Sequence, residues 1–259
     1  MAEDGVREQV FEEAAHRLDV ERRAWVVGIG QHVEAPAGLS VDEDDLRRVL
    51  DSAYASGNFP VGAGAYVCHE VSIKRLPTHS QAILRACAAD GSDFLEYQIG
   101  FAPNGYLGVA MTRSGHFPGS APAPGHVLLA DVEAVVLDLA VLIDHSGRIL
   151  DRRGANQFSV AVLSDIPGHP LRLRCLDVDT GELCPPRPGD DPELFHPVSV
   201  RLHPEMDTET GHRLLYQALT EVAGQFGVEE PQLLPNPDRT QIDYDRAGFP
   251  PATAAAAQA

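Results

Sequence analysis

The side chains whose types and spacing could do chemistry are densest between residues 196 and 212, where His196, His203, Glu205, Asp207, Glu209 and His212 fall together. Imidazole plus carboxylate is a ligand set for zinc and other divalent transition metals. His196 and His203 are seven apart in an extended stretch, so they point to opposite faces and cannot share one ion. His203, Glu205 and His212 can converge, because the chain turns from strand to helix at Pro204. These three are the metal-site candidates, and a metal-dependent enzyme is the activity they would support. The plainer reading is a Pro-marked loop leading into a helix whose acidic first turn suits the macrodipole.

Other constellations are sparser. Asp177-Val178-Asp179-Thr180-Gly181-Glu182 resembles the start of a calcium loop, but the later ligands and the distal Glu are missing. A hairpin turn explains it: with Asp179-Thr180-Gly181 as the loop, Asp177 faces Leu183 and Cys184 pairs with Leu176. Cys175 and Cys184 should then remain unbridged. The other cysteines, Cys68 and Cys87, complete no CxxC and no zinc-ribbon spacing. Gly28-x-Gly30 follows the start of a strand, yet residue 33 is Val and Pro36 stands where a helix should open, so a tight strand exit is expected rather than a dinucleotide site. Lys74 is the single lysine, and a solvated surface position is the expectation for it. Asp144-His145, and Asp165 with His169, flank Gly turns as polar loop residues.

The elements that must carry these residues alternate between helix and strand. Val6, Val10, Ala14 and Leu18 predict an amphipathic helix over 5–22, and a short strand follows over 24–29. Ser40 and Glu43 predict a capping box for a helix lined by Leu46, Val49, Leu50, Ala53 and Tyr54, stopped at Gly57-Asn58-Phe59-Pro60. Alternation predicts a strand over 65–73, and alanine content a short helix over 80–89. A three-residue Pro103-Asn104-Gly105 loop would set Phe101 opposite Leu107, keeping the apolar sets of both strands on one face. Leu128, Val132, Val135, Val136, Leu139, Leu142 and Ile143 make the broadest helical stripe, expected as the central core element. Strands are predicted at 157–163, 170–178, 182–184 and 197–202. A last helix should be capped by Asp207, bury Leu215, Ala218, Leu219, Val222 and Phe226, and close at Gly227.

This order predicts an α+β fold, mostly antiparallel sheets packed by amphipathic helices, in two similar-sized halves. The expected divisions are an N-terminal half over 1–113, a Pro/Gly-rich linker over 114–126, a C-terminal half over 127–228 and an extended or disordered tail over 229–259. A chain of 259 residues with 44% hydrophobic side chains can build a core without metals or disulfides.

The 128–145 helix, Gln157-Phe158-Ser159-Val160-Ala161-Val162, Pro170-Leu171-Arg172-Leu173, His196-Pro197-Val198-Ser199-Val200 and the 207–226 helix together resemble a known arrangement. It is the C-terminal accessory region of uncharacterised actinobacterial proteins in which a Schlafen AlbA-type module precedes it, and the resemblance covers about residues 126–228. Glu70-Val71-Ser72-Ile73-Lys74 and Ala89-Asp90-Gly91 resemble the module's acidic-plus-lysine strand and its small-residue turn. That resemblance implies nucleic-acid or nucleotide handling around Glu70, Lys74 and Gly91.

Charge points the other way. With 20 Lys+Arg against 38 Asp+Glu the formal charge is -18, a field that repels phosphate backbones and anionic headgroups. No apolar run approaches a membrane span, and the acidic start has no signal-peptide pattern. The expectation is therefore a cytoplasmic, bacterial accessory or adaptor protein that works through protein–protein contacts. No cofactor is indicated, nucleic acid is disfavoured as a partner, and the Pro-rich tail suits docking. No Walker sequence, GxSxG elbow or HExxH assembles a catalytic motif.

Overall fold

A computed structural model describes residues 24–32, 42–57, 59–60, 66–75, 80–88, 93–101, 106–115, 125–151, 156–164, 167–177, 184, 194–203 and 205–244. Strand β1 (Trp25–His32) organises them, because its alternation sorts side chains onto two faces. One face carries Val26, Gly28, Gly30 and His32. A Cβ at Gly28 would stand 2.2 Å from Leu139 Cδ1, and one at Gly30 2.2 Å from Ile143 Cδ1. The two glycines thus let helix α2 (Leu129–Ile149) lie directly against the strand. They sit inside the strand, not at its exit as the sequence suggested. The opposite face carries Trp25, Val27 and Ile29, which form a second buried cluster with Ala110.

Around β1 runs a seven-stranded sheet in the order β2-β3-β4-β5-β1-β7-β9. Its other members are β2 (Tyr66–Arg75), β3 (Ser80–Ala88), β4 (Asp93–Phe101), β5 (Tyr106–Gly115), β7 (Asn156–Leu163) and β9 (Val198–Leu202). Every pairing in it is antiparallel, so the fold is α+β as expected. Register carries one row of small and branched residues across the helix-bearing face, Ile73, Ala82, Ile99, Val109, Gly28, Val160 and Val198. Against that face pack α1 (Glu43–Ala55), α2 and α3 (Thr208–Gln225). A short parallel pair, β6 (His126–Leu128) with β8 (Arg172–Arg174), lies apart from the main sheet.

α2 is the centre of the core. Leu129, Val132, Val135, Leu139 and Leu142 are wholly buried, with the sheet on one side and α1 and α3 alongside. Phe101 stands opposite Leu107, the register that the apolar pattern required. Asp207 caps α3 through the Thr210 N–H, and Gly227 ends it at φ +71°.

Several expectations are corrected. Residues 80–88 form a strand, because pairing to β2 and β4 along their whole length outweighs the helical preference of their alanines. The cap of α1 is Asp42 with Asp45, not Ser40 with Glu43. Residues 170–178 yield only the three-residue β8. The Cys184 N–H donates to the Cys175 carbonyl at 3.0 Å, so Cys184 faces Cys175 rather than Leu176; no disulfide joins the two. Strands from either side of the 114–126 segment share one sheet and one core, so the halves do not have separate ones. Residues 229–244, part of the segment expected as an extended or disordered tail, are irregular but packed against the fold: Leu234 joins the core. The 5–22 helix, Gly105, Gly181 and Gly91 lie outside the described residues.

Candidate functional site

The helix pattern puts His212 on the inner face of α3, one turn ahead of Leu215 and Leu219, and the side chain is fully buried. Its Nε2 lies 2.8 Å from the Pro235 carbonyl and its Nδ1 2.9 Å from the Tyr244 hydroxyl. A carbonyl only accepts, so Nε2 carries the hydrogen and Nδ1 accepts from the tyrosine O–H. Burial lowers the pKa of this imidazole, more than the Pro235 contact raises it. Both nitrogens are therefore committed, and no lone pair is left for a metal. His203 and Glu205 stand exposed on the connection before α3. The structure does not assemble the candidate triad, and among the described residues no three His, Cys, Asp or Glu side chains form a metal-holding group. Nothing local in the sequence reveals that Pro235 and Tyr244 return to cover His212.

A second buried polar group holds the same segment. Glu133 lies on α2, wholly buried, and accepts from the Gln232 N–H at 3.0 Å and the Leu233 N–H at 2.7 Å. Gln232 Nε2 in turn donates to the Leu176 carbonyl at 2.7 Å. Burial pushes the Glu133 pKa up to about 7, although the two backbone N–H groups pull it down. At the surface Arg213 pairs with Glu209 at 3.1 Å and Asp238 at 2.6 Å, contacts that solvent screens. Glu133 and His212 together thus strap residues 229–244 onto α2 and α3. The sequence offered one signal for Glu133: an acid inside the broadest apolar stripe of the chain.

Two serine–histidine pairs lie elsewhere along α2. His32 Nε2 lies 2.7 Å from Ser146 Oγ, and Ser146 donates to the Ile143 carbonyl at 3.0 Å. A serine–histidine contact is the arrangement of an activated nucleophile. Here the single hydroxyl proton has both His32 Nε2 and the Ile143 carbonyl within reach, and both side chains are buried within the fold. The pair locks the end of β1 to α2. Ser52 Oγ and His145 Nδ1, 2.7 Å apart, join α1 to α2 in the same way. Burial lowers the His145 pKa, and Asp144 opposes that shift. His145 is a buried helix residue, not the loop residue its sequence context suggested. Tyr97 O–H donates to Asp138 Oδ2 at 2.8 Å and ties β4 to α2.

The remaining candidates are dispersed. His196 is exposed, and its backbone N–H and carbonyl are bridged by the Gln225 amide at 2.7 and 3.0 Å. His169 is exposed. Glu70 and Lys74 occupy β2, at register positions opposite Arg85 and Gln81. Leu194, at 73% exposure, is the one large exposed hydrophobic among the residues whose burial is described. No described helix is long and apolar enough to cross a membrane.

The seven-stranded sheet ends on β2 at one side and on β9 at the other. Among the described residues no strand pairs with the outer side of β2 or of β9. No family model matches this chain, and no curated protein matches it.

Proposed function

We propose that this protein is a cytoplasmic accessory or adaptor protein that works by receiving polypeptide segments at its sheet edges. The observation that carries this reading is the open seven-stranded sheet, ending on β2 and β9 with no further strand among the described residues. An edge strand offers a row of unpaired N–H and C=O groups, and strand addition uses them for affinity without needing an apolar groove. Among the residues whose burial is described, Leu194 is the one large exposed apolar side chain, which fits that mode of contact. So does the formal charge of -18, which disfavours phosphate backbones and favours polypeptides with basic flanks. The buried polar side chains of α2 and α3 are spent on the fold, which supports placing the function at the periphery.

Photo-crosslinking tests the reading. A benzophenone amino acid is placed at Ser72 in β2, at Arg201 in β9, or at the exposed Glu221 on α3. Capture of a polypeptide in cells from Ser72 or Arg201, with none from Glu221, is the expected result. Capture from neither edge, with salt-sensitive binding of the purified chain to DNA or RNA, would overturn it.

A further inference from the structure

We infer that the β2 edge pairs with β2 of a second copy of this chain, antiparallel, about a two-fold axis through Ser72. The inference deepens the reading of the sheet edges as contact surfaces and names the partner at one of them.

β2 is regularly paired to β3 from Glu70 to Arg75, after a shift of register between Cys68 and Glu70. Two identical antiparallel strands meet about an axis perpendicular to the sheet, and residues directly opposite share a face. An axis at Ser72 sets Glu70 of each copy opposite Lys74 of the other. It also sets Val71 opposite Ile73, twice. Each unlike-charge pair and each apolar pair is a favourable cross-strand combination. Centring the axis on Ile73 sets Lys74 opposite Ser72 and Arg75 opposite Val71, and the charge match is lost. Centring it on Val71 sets Glu70 opposite Ser72, with the same loss.

The charges also have a selective effect. A lysine on an edge strand discourages pairing with an apolar or basic strand, which is how natural sheets prevent indiscriminate addition. Lys74 is the single lysine of the chain, and its register position lies four residues from that of an acid, Glu70, on the same edge strand. That spacing makes the edge self-complementary, and an isologous contact requires self-complementarity. The symmetry keeps α2 of both copies on one side of a continuous sheet. The β9 edge of each copy stays open for a different polypeptide, so a dimer presents two such edges.

The test is the association state of the purified full chain, by light scattering or sedimentation over a wide concentration range, with melting curves confirming the fold of each variant. Wild type is expected to dimerise. Lys74→Glu opposes two carboxylates at both contacts, and Glu70→Lys opposes two ammonium groups. Each should weaken the dimer by at least roughly tenfold. An equimolar mixture of the two variants restores unlike charges at both contacts, so it should associate where neither variant does alone. Salt gives a readout that does not need Glu70→Lys to fold: screening should raise the association of Lys74→Glu relative to wild type, the repulsion of two -18 chains being nearly common to both. A monomeric wild type, a Lys74→Glu chain that dimerises like wild type, or folded variants that fail to combine would each overturn the inference. If Ser72 crosslinks only to a different polypeptide, the self-pairing falls while the edge-contact reading stands.

Discussion

Replacing Glu133 by Gln should make the protein more stable at alkaline pH, although it removes a carboxylate with three close backbone contacts. In the folded chain burial holds Glu133 protonated up to about pH 7, against an ordinary value of 4.5. Below 4.5 the group is protonated whether the chain is folded or not, and its burial carries no pH-dependent cost. Between 4.5 and 7 the unfolded chain loses its proton first, so its stabilising contribution falls as pH rises through the folded value. At 1.36 kcal/mol per pKa unit the loss amounts to about 3 kcal/mol by pH 8. Gln resembles the protonated acid, with one acceptor and one donor, and does not titrate. Urea unfolding of both proteins from about pH 4.5 to 8 should therefore show similar stability at the acid end and a variant more stable by up to about 3 kcal/mol at the basic end. His126, His145 and His212, whose values burial lowers, add a slope of the opposite sign below pH 6.5. They are present in both proteins and drop out of the difference. A difference that stays constant with pH, or that favours the wild type as pH rises, would refute the assignment of Glu133 as a buried, desolvated acid.

The remaining predictions concern packing and the strap. Leu139→Ala should cost about 2–5 kcal/mol in thermal or urea unfolding, because the side chain is wholly buried between α2 and β1. Gly28→Ala should be destabilising alone by about 1–3 kcal/mol, yet cost less beside Leu139→Ala, because the added methyl enters the space the leucine vacates. His212→Phe should cost at least about 1 kcal/mol, since Pro235 and Tyr244 lose their common partner. His203→Ala on the exposed connection should leave the melting temperature almost unchanged, and a chelator should leave the wild type unchanged. A chelator-sensitive melt would contradict the position of His212.

Local physics made much of this fold legible. The stripe on α2, the Asp207 cap with the Gly227 stop, and the pairing of Phe101 with Leu107 are all short-range patterns with a single good solution. Non-local terms decided the rest. Alanines at 82, 86 and 88 favour a helix in isolation, but strands on both sides of them make a sheet. Gly28 and Gly30 looked like punctuation because the helix that lies on them begins about a hundred residues later, beyond the reach of a local pattern. The candidate metal site failed for the same reason. His203, Glu205 and His212 are close in sequence, but the inward face of α3 takes His212 into the core, where residues 235 and 244 satisfy it. The charge pattern of β2, by contrast, is local, and it bears on association only because the sheet order places that strand at an edge.

Hydrogen exchange of the chain isolated alone, compared with the chain recovered from cells together with whatever it holds, tests the edge-contact account most directly. Strand addition would slow exchange in peptides covering residues 198–202, or 66–75 where the isolated chain is dilute enough to be monomeric, and leave the already buried 129–149 helix unchanged. Slowed exchange confined to the outer faces of α1 and α3, with both sheet ends exchanging as in the isolated chain, would contradict it.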